Sequence, residues 1–162
     1  MRSLFIAGFI AVFAVSARGE EKSDLATNLK DAGISLENGI AASQSKGTPI
    51  SAKYEVENGK LQLSVYTAKG DSFSEVVVDH KTGKVAKSEP ITSGDDLTAA
   101  KSQNEAMGKA KTSLQAAVSK VVKANKGYKA VGATPSVKDG HPTADITLMK
   151  GADSKTVSAQ LD

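Results

Sequence analysis

The sequence predicts an α+β protein of two tandem repeats, at 23–90 and 95–162, each with helices packed on one face of an antiparallel β-sheet. Three observations predict it. Helical apolar spacing gives way to period-two alternation, twice along the chain. Each alternating stretch is broken by a two-residue hairpin signal, Asn58-Gly59 and then Asp139-Gly140, whose residues tolerate positive φ. The spacing is also kept. Gly59 and Gly140 lie 81 residues apart, as do Gly70 and Gly151, while Ser35-Leu36 and Ser113-Leu114 lie 78 apart. Hairpin length is therefore preserved, and the drift of three falls in a loop.

The N-terminus reads as a signal peptide, residues 1–17. Arg2 gives a positive start, Leu4 to Val15 is an apolar run, and Val15-Ser16-Ala17 supplies small residues before a cut. The run is short of the roughly 20 residues that a membrane span needs, and no later stretch could cross a bilayer. The rival is an uncleaved anchor. The expected location is periplasmic or secreted, with no membrane span after cleavage. The chain has no Cys, which excludes disulfides, thiol chemistry and a lipidated N-terminal cysteine; a bacterial periplasm or exterior is compatible with that. The 162 residues carry 21 basic and 18 acidic side chains, net +3, and only 4% are aromatic. With the lysines dispersed, this is no nucleic-acid footprint.

The elements follow in order. Asp24 to Ala32 reads as a short helix, with Leu25 and Leu29 on one face and Gly33 as its stop. Ser35 caps a second helix that carries Leu36, Ile40 and Ala41 and ends by Gly47. Gly39 weakens this helix by about 1 kcal/mol relative to Ala; it either permits close packing or is neutral. Ile50, Ala52, Tyr54 and Val56 alternate with polar residues, and so do Leu61, Leu63 and Val65 after the hairpin. Phe73 to His80 forms a third strand with Val76 and Val78 facing the core. Lys81-Thr82-Gly83-Lys84 turns the chain, Val85 begins a short edge strand, and Pro90 with Ser93-Gly94 marks the linker.

Asp95-Asp96 starts the second half. Leu97, Ala100, Asn104, Met107 and Ala110 give an amphipathic helix, and Leu114, Val118, Val121 and Val122 give another, opened by the capping-box pattern Thr112 with Gln115. Tyr128 to Val137 is extended, with Pro135 marking an edge or bulge. Ala144, Ile146 and Leu148 alternate, and Thr156 to Leu161 is a last strand. The expected cores are Leu36, Ile40, Tyr54, Val56, Leu63, Val65, Val76 and Val78, then Leu114, Val118, Val121, Val131, Ile146, Leu148 and Val157. The second is poorer in large side chains and leans on the first.

The opening of the second helix, Ser35-Leu36-Glu37-Asn38-Gly39-Ile40-Ala41, the Tyr54–Val65 hairpin and the ending Val77-Val78-Asp79-His80-Lys81-Thr82-Gly83-Lys84-Val85 together resemble the PepSY family, a small domain of peptidase propeptides and of other secreted or envelope proteins. The resemblance covers Ile34 to Lys87 well and Thr112 to Asp162 weakly, because the second stretch lacks the Asp-x-x-Thr-Gly-Lys-Val ending. It implies helices packed on an antiparallel sheet and a link to peptidase inhibition. It transfers no catalytic residue.

Read as chemistry, Asp79 ahead of a turn holds the bend by accepting backbone N–H groups, and Gly83 supplies positive φ; the sharper reading makes this turn a partner-contact loop. His80 and His141 are the only histidines, and neither has metal-ligand spacing. No Gly-x-Ser-x-Gly or phosphate-loop pattern occurs. Lys53, Glu55, Gln62, Ser64 and Tyr66 are expected on a wet sheet face, where the amphipathic ring of Tyr66 suits an interface. Tyr66, Asp79, His80 and Gly83 are thus the candidate partner-binding residues, with no catalytic residue, metal or cofactor expected. The expected function is an exported protein-interaction module that inhibits or modulates a secreted peptidase met in trans, since no peptidase domain follows. The alternatives are an envelope structural or stress protein and, from a different class, a metal-dependent hydrolase using His80 or His141.

Overall fold

The computed structural model describes residues 17–162. Residues 1–16, where all but the last position of the expected signal peptide falls, lie outside the described residues. The elements run α1 (Ala17–Asn28), a 3-10 turn (Leu29–Asp31), α2 (Leu36–Ser43), β1 (Thr48–Glu57), β2 (Lys60–Lys69), β3 (Ser72–Val78), β4 (Val85–Ile91), α3 (Gly94–Lys109), α4 (Leu114–Ala124), β5 (Lys129–Lys138), β6 (His141–Lys150) and β7 (Asp153–Gln160).

Local chemistry sets most boundaries. The hydroxyls of Ser35 and Ser113 accept the N–H groups of Asn38 and Ala116, each at 3.2 Å, satisfying one of the donors that a helix start leaves open. Asn58 and Gly59 have φ of 51° and 75°, and Asp139 and Gly140 have 52° and 83°. Two successive positive φ values give the turn twist that matches flanking strands. Several boundaries differ from the sequence reading: α4 is capped by Ser113 and not by Thr112, and β7 begins at Asp153 and not at Thr156. α1 begins at Ala17 rather than Asp24 and tightens into the 3-10 turn at Leu29. β4 runs through Pro90, which the sequence places in the linker; an outermost strand tolerates a residue without an N–H.

All seven strands join one antiparallel sheet in the order β4-β3-β2-β1-β5-β6-β7. The two halves meet where β1 pairs with β5, at Ala52↔Ala133 and Lys53↔Gly132. One face presents Ala52, Tyr54, Leu63, Val65, Val76 and Val78 beside Ala133, Ala144, Ile146 and Leu148, and α2 and α4 cover it. Gly39 brings α2 down onto β2, because a Cβ there would collide with the buried Leu63 side chain. Leu36, Ile40, Leu114, Val118 and Val121 complete a single cluster, so the two expected cores are one. Val56, expected in the core, is only half-buried, and Val157 packs at the cluster's margin.

The other face corrects the expectation that helices occupy one side of the sheet. α3 lies across the opposite side. Ser51 Oγ donates to Gln103 Oε1 at 2.8 Å, and Ala100 packs with Ile50, Ala68 and Phe73 in a second apolar cluster. The cause is a bulge in β1 between Pro49 and Ser51. It re-aims Ile50 away from the main core and gives α3 an apolar patch to rest on.

Two interhelix loops are clasped to two strand ends in the same manner. The N–H groups of Gly33 and Ile34 donate to His80 O at 2.8 and 3.1 Å, and those of Lys111 and Thr112 donate to Leu161 O at 2.7 and 2.9 Å. Donors in loops thereby pair with acceptors past strand ends at both joints.

Candidate functional site

The turn after β3 is built from Asp79. Its carboxylate accepts the N–H groups of Lys81 at 2.8 Å and Thr82 at 3.0 Å, and its backbone pairs with Gly83 N and Lys84 O, both at 2.8 Å. These N–H groups, Thr82 first and Lys81 second, hold the Asp79 carboxyl below its ordinary range. Gly83 takes a φ of 75° and lies against the Ile34 side chain. His80 presents its carbonyl to Gly33 and Ile34, while its Nδ1 is buried without a partner. Three of the four candidate residues therefore form one joint between the turn and the α1–α2 connection. Its outer surface is the exposed Asp79 and Lys81.

Tyr66, the fourth, is elsewhere. It pairs with Glu75 on β3, four residues before Asp79, or roughly 13 Å along the strand. It also does not stand on an open wet face. Its ring lines a cleft of about 180 Å³ beneath α3, with Ser51, Lys53, Asp96, Gln103 and Thr134. Burial, more than any charge, pushes its hydroxyl pKa up. Lys53 stands 5.9 Å from the ring centroid and 2.8 Å from Glu55. Burial opposes the Lys53 charge, but the bond to Glu55 and the nearby Tyr66 outweigh it and its pKa is raised. The cleft is a polar seam under a helix, crossed by the Ser51–Gln103 bond.

Two side-chain groups resemble catalytic sets in composition. Ser158 Oγ donates to Asp145 at 2.7 Å, and Lys138 Nζ bonds both Asp145 oxygens at 2.8 and 2.9 Å. Lys138 and then Ser158 lower the Asp145 pKa, which makes this carboxylate a poor base for activating the serine. Ser64 Oγ donates to Glu75 at 2.9 Å and accepts from Gln62 at 3.0 Å. Both groups tie neighbouring strands together. His80 and His141 follow β3 and open β6, four strand places apart, roughly 19 Å sideways at the usual strand spacing, and at opposite ends of the strands. His141 Nδ1 pairs with Asp162 Oδ2 at 2.6 Å. Among the described residues no group of three His, Asp or Glu side chains is placed to hold a metal ion.

The sheet's two outer strands differ in a way the sequence reading missed. β4 contains Pro90 and pairs with β3 across a register shift at Val77/Val78. β7 has no proline, and its eight residues pair with β6 without a shift. Beside the start of β7, the exposed Lys150 and Lys155 share one sheet face next to the Lys126–Tyr128 loop, and the exposed Lys129 stands on the other face two strands in. Lys155 Nζ stands 4.3 Å over the Tyr128 ring. Lys150 Nζ lies 3.4 Å from the Cβ position of Gly127, Lys126 adjoins that glycine, and Lys129 pairs in register with Met149. Among the described residues none of the four is in an ion pair. The sequence carries part of the signal, since Ala106 to Lys138 holds seven lysines and no acidic residue, but Lys150 and Lys155 lie outside that run. Comparison of the chain with protein-family models, with curated proteins and with solved structures returns no match.

Proposed function

We propose that this chain is an exported protein-binding module of the PepSY type, made of two repeats of one unit, that inhibits or modulates a secreted peptidase rather than catalysing a reaction. The observation that carries the binding reading is the last strand of the sheet. Among the described residues β7 has β6 on one side and no strand on the other, and its pairing with β6 is regular. Such an edge is a template for strand addition, in which main-chain hydrogen bonds supply affinity and alternate side chains supply specificity. The repeat reading is supported by the paired clasps. His80 and Leu161 are 81 residues apart, and Gly33 and Lys111 are 78 apart, the same offsets that relate the hairpins and the helix caps. The export reading is supported by the apolar run behind Arg2.

The test is capture of partners from the exported fraction, followed by an activity assay on any peptidase recovered. A peptidase should co-purify, and its turnover should fall at stoichiometric protein. Recovery of envelope structural proteins alone, with secreted peptidase activity unchanged on deleting the gene, would remove the peptidase reading.

A further inference from the structure

We propose that the outer edge of β7 takes up an extended acidic peptide as an eighth strand, antiparallel to β7, with the acidic residues in the peptide's C-terminal half. This rests on the protein-binding reading above and adds the place of contact and the partner's chemistry.

The chain contains its own template. β4 lies antiparallel on the outside of β3, from Val78↔Val85 to Phe73↔Ile91. β7 holds the place of β3 at the other end of the sheet, and among the described residues no strand lies outside it. The edge offers the right groups. The two-residue loop Gly151–Ala152 makes Lys150 and Asp153 the hydrogen-bonded pair nearest the turn. Bonded and non-bonded pairs alternate from there, so Ser154, Thr156 and Ser158 direct their N–H and C=O groups away from β6. Edges that avoid pairing carry prolines, bulges or charges. β4 has Pro90 and an irregular register; β7 has neither. Its one cation, Lys155, is drawn over Tyr128 and leaves the backbone edge open.

The basic surface beside β7 decides the partner and its direction. β4 brings its C-terminal residue, Ile91, opposite Phe73 near the start of β3. A strand laid the same way on β7 brings its C-terminal half to the start of β7, beside Lys150, Lys155 and the loop that holds Lys126, where Asp153 is the acid on the strand. Carboxylates there meet a surface whose nearest charges are Lys150 and Lys155, with Lys126 on the adjoining loop. A second copy of this chain offers a β7 with one Asp and one Lys, which leaves these lysines uncompensated.

Fluorescence anisotropy on the full mature chain tests this. The probes are a labelled peptide of about ten alternating valines and threonines with three glutamates in its C-terminal half, and the same peptide with the glutamates in its N-terminal half. The first should bind saturably, several-fold more tightly than the second, and weaken as salt rises. Lys150→Gln with Lys155→Gln should weaken it about tenfold, and Thr156→Pro should abolish binding while circular dichroism is unchanged. Equal binding of the two peptides, or indifference to both variants, would overturn the proposal. If Thr156→Pro does not fold, the lysine variant and the peptide order decide. Dimerisation abolished by Thr156→Pro, with no peptide binding, would assign the edge to a second copy and also overturn it. A captured peptidase that still binds the lysine and proline variants defeats this edge and leaves the peptidase reading standing. Binding of the acidic peptide with no peptidase affected does the reverse.

Discussion

In the half that holds α1 to β4, the leading helix packs Leu25, Ala26 and Leu29 against the main core. In the half that holds α3 to β7, the leading helix crosses to the opposite face and rests on the patch around Ile50. The first half ends its sheet with a proline-bearing fourth strand; the second ends at β7. Charge follows the same division. Residues 17–93 hold 10 basic and 11 acidic side chains, and residues 94–162 hold 10 and 7. The same succession of helix, helix and antiparallel strands thus yields one half with a guarded edge and one half with an open, basic one. Element order fixes the core, while single residues such as Pro90 and the β1 bulge decide what the surface can meet.

The largest effects should show that the halves share one core. Leu36 and Leu114 are both fully buried, at 0% and 1% exposure, in the same cluster. Leu36→Ala and Leu114→Ala should each cost about 2–5 kcal/mol, and urea unfolding should stay a single transition in both. Two separated transitions in either variant would mean that the halves fold independently and that the join at β1 and β5 carries little.

The clasps should separate the halves next. A Cβ on Gly33 would fall 2.8 Å from the Lys81 carbonyl oxygen, a backbone atom that cannot rotate away. Lys111, at the corresponding place in the second half, already carries an exposed side chain. Gly33→Ala should therefore cost about 1–3 kcal/mol, as overpacking does. Lys111→Ala should change stability by less than about 0.5 kcal/mol. Equal small effects would show that the first clasp has slack that its geometry denies.

Much of this comparison is legible in the sequence, and the part that is not has specific causes. Asn58-Gly59, Asp139-Gly140 and Ser35 act locally, through φ or a hydroxyl three residues from its target, so the residue types suffice to place them. By contrast, two adjacent hydroxyls, Thr112 and Ser113, compete to open α4, and Ser113 is the cap. The side taken by α3 is not local. Its own spacing is weakly amphipathic, it buries Ala100 and Ala106, and its seat exists because a bulge after Pro49 turns Ile50 over. Alternation cannot reveal such a bulge, since Ile50 fits the period-two pattern of either face. Tyr66 reads correctly as an amphipathic ring on the polar side and wrongly as open, for the same reason. Asp79 and Gly83 read correctly as turn residues. The basic surface beside β7 draws Lys126 from a helix–strand loop, Lys150 from β6 and Lys155 from β7, up to 29 positions apart, too far for any local pattern.

The two helix caps should behave alike and so set a baseline for the differences. Ser35 and Ser113 make the same bond at the same 3.2 Å. Ser35→Ala and Ser113→Ala should each lower stability by about 1 kcal/mol in urea unfolding at neutral pH. A marked inequality would show that one of α2 and α4 contributes more to the shared core than their common position suggests.

The smallest expected effect isolates a charge that only the first half has. Asp79 holds its turn with a carboxylate, and the position 81 residues later is Gln160. Asp79→Asn keeps an acceptor oxygen for Lys81 and Thr82 and removes the charge. Because the folded-state pKa of Asp79 is depressed, by the Thr82 N–H first and the Lys81 N–H second, the charged form binds fewer protons folded than unfolded. Its contribution is then fully present above the unfolded carboxylate pKa and is lost as pH falls through the folded one. Wild type should unfold at higher urea than Asp79→Asn at neutral pH, and the two midpoints should converge as pH drops through the acid range. Gln160→Ala, compared with wild type over the same range, should show no such convergence. A midpoint difference for Asp79→Asn that stays constant down to the lowest pH would mean that the turn is held by geometry common to acid and amide, and that the carboxylate is free for another role on the protein's outer surface.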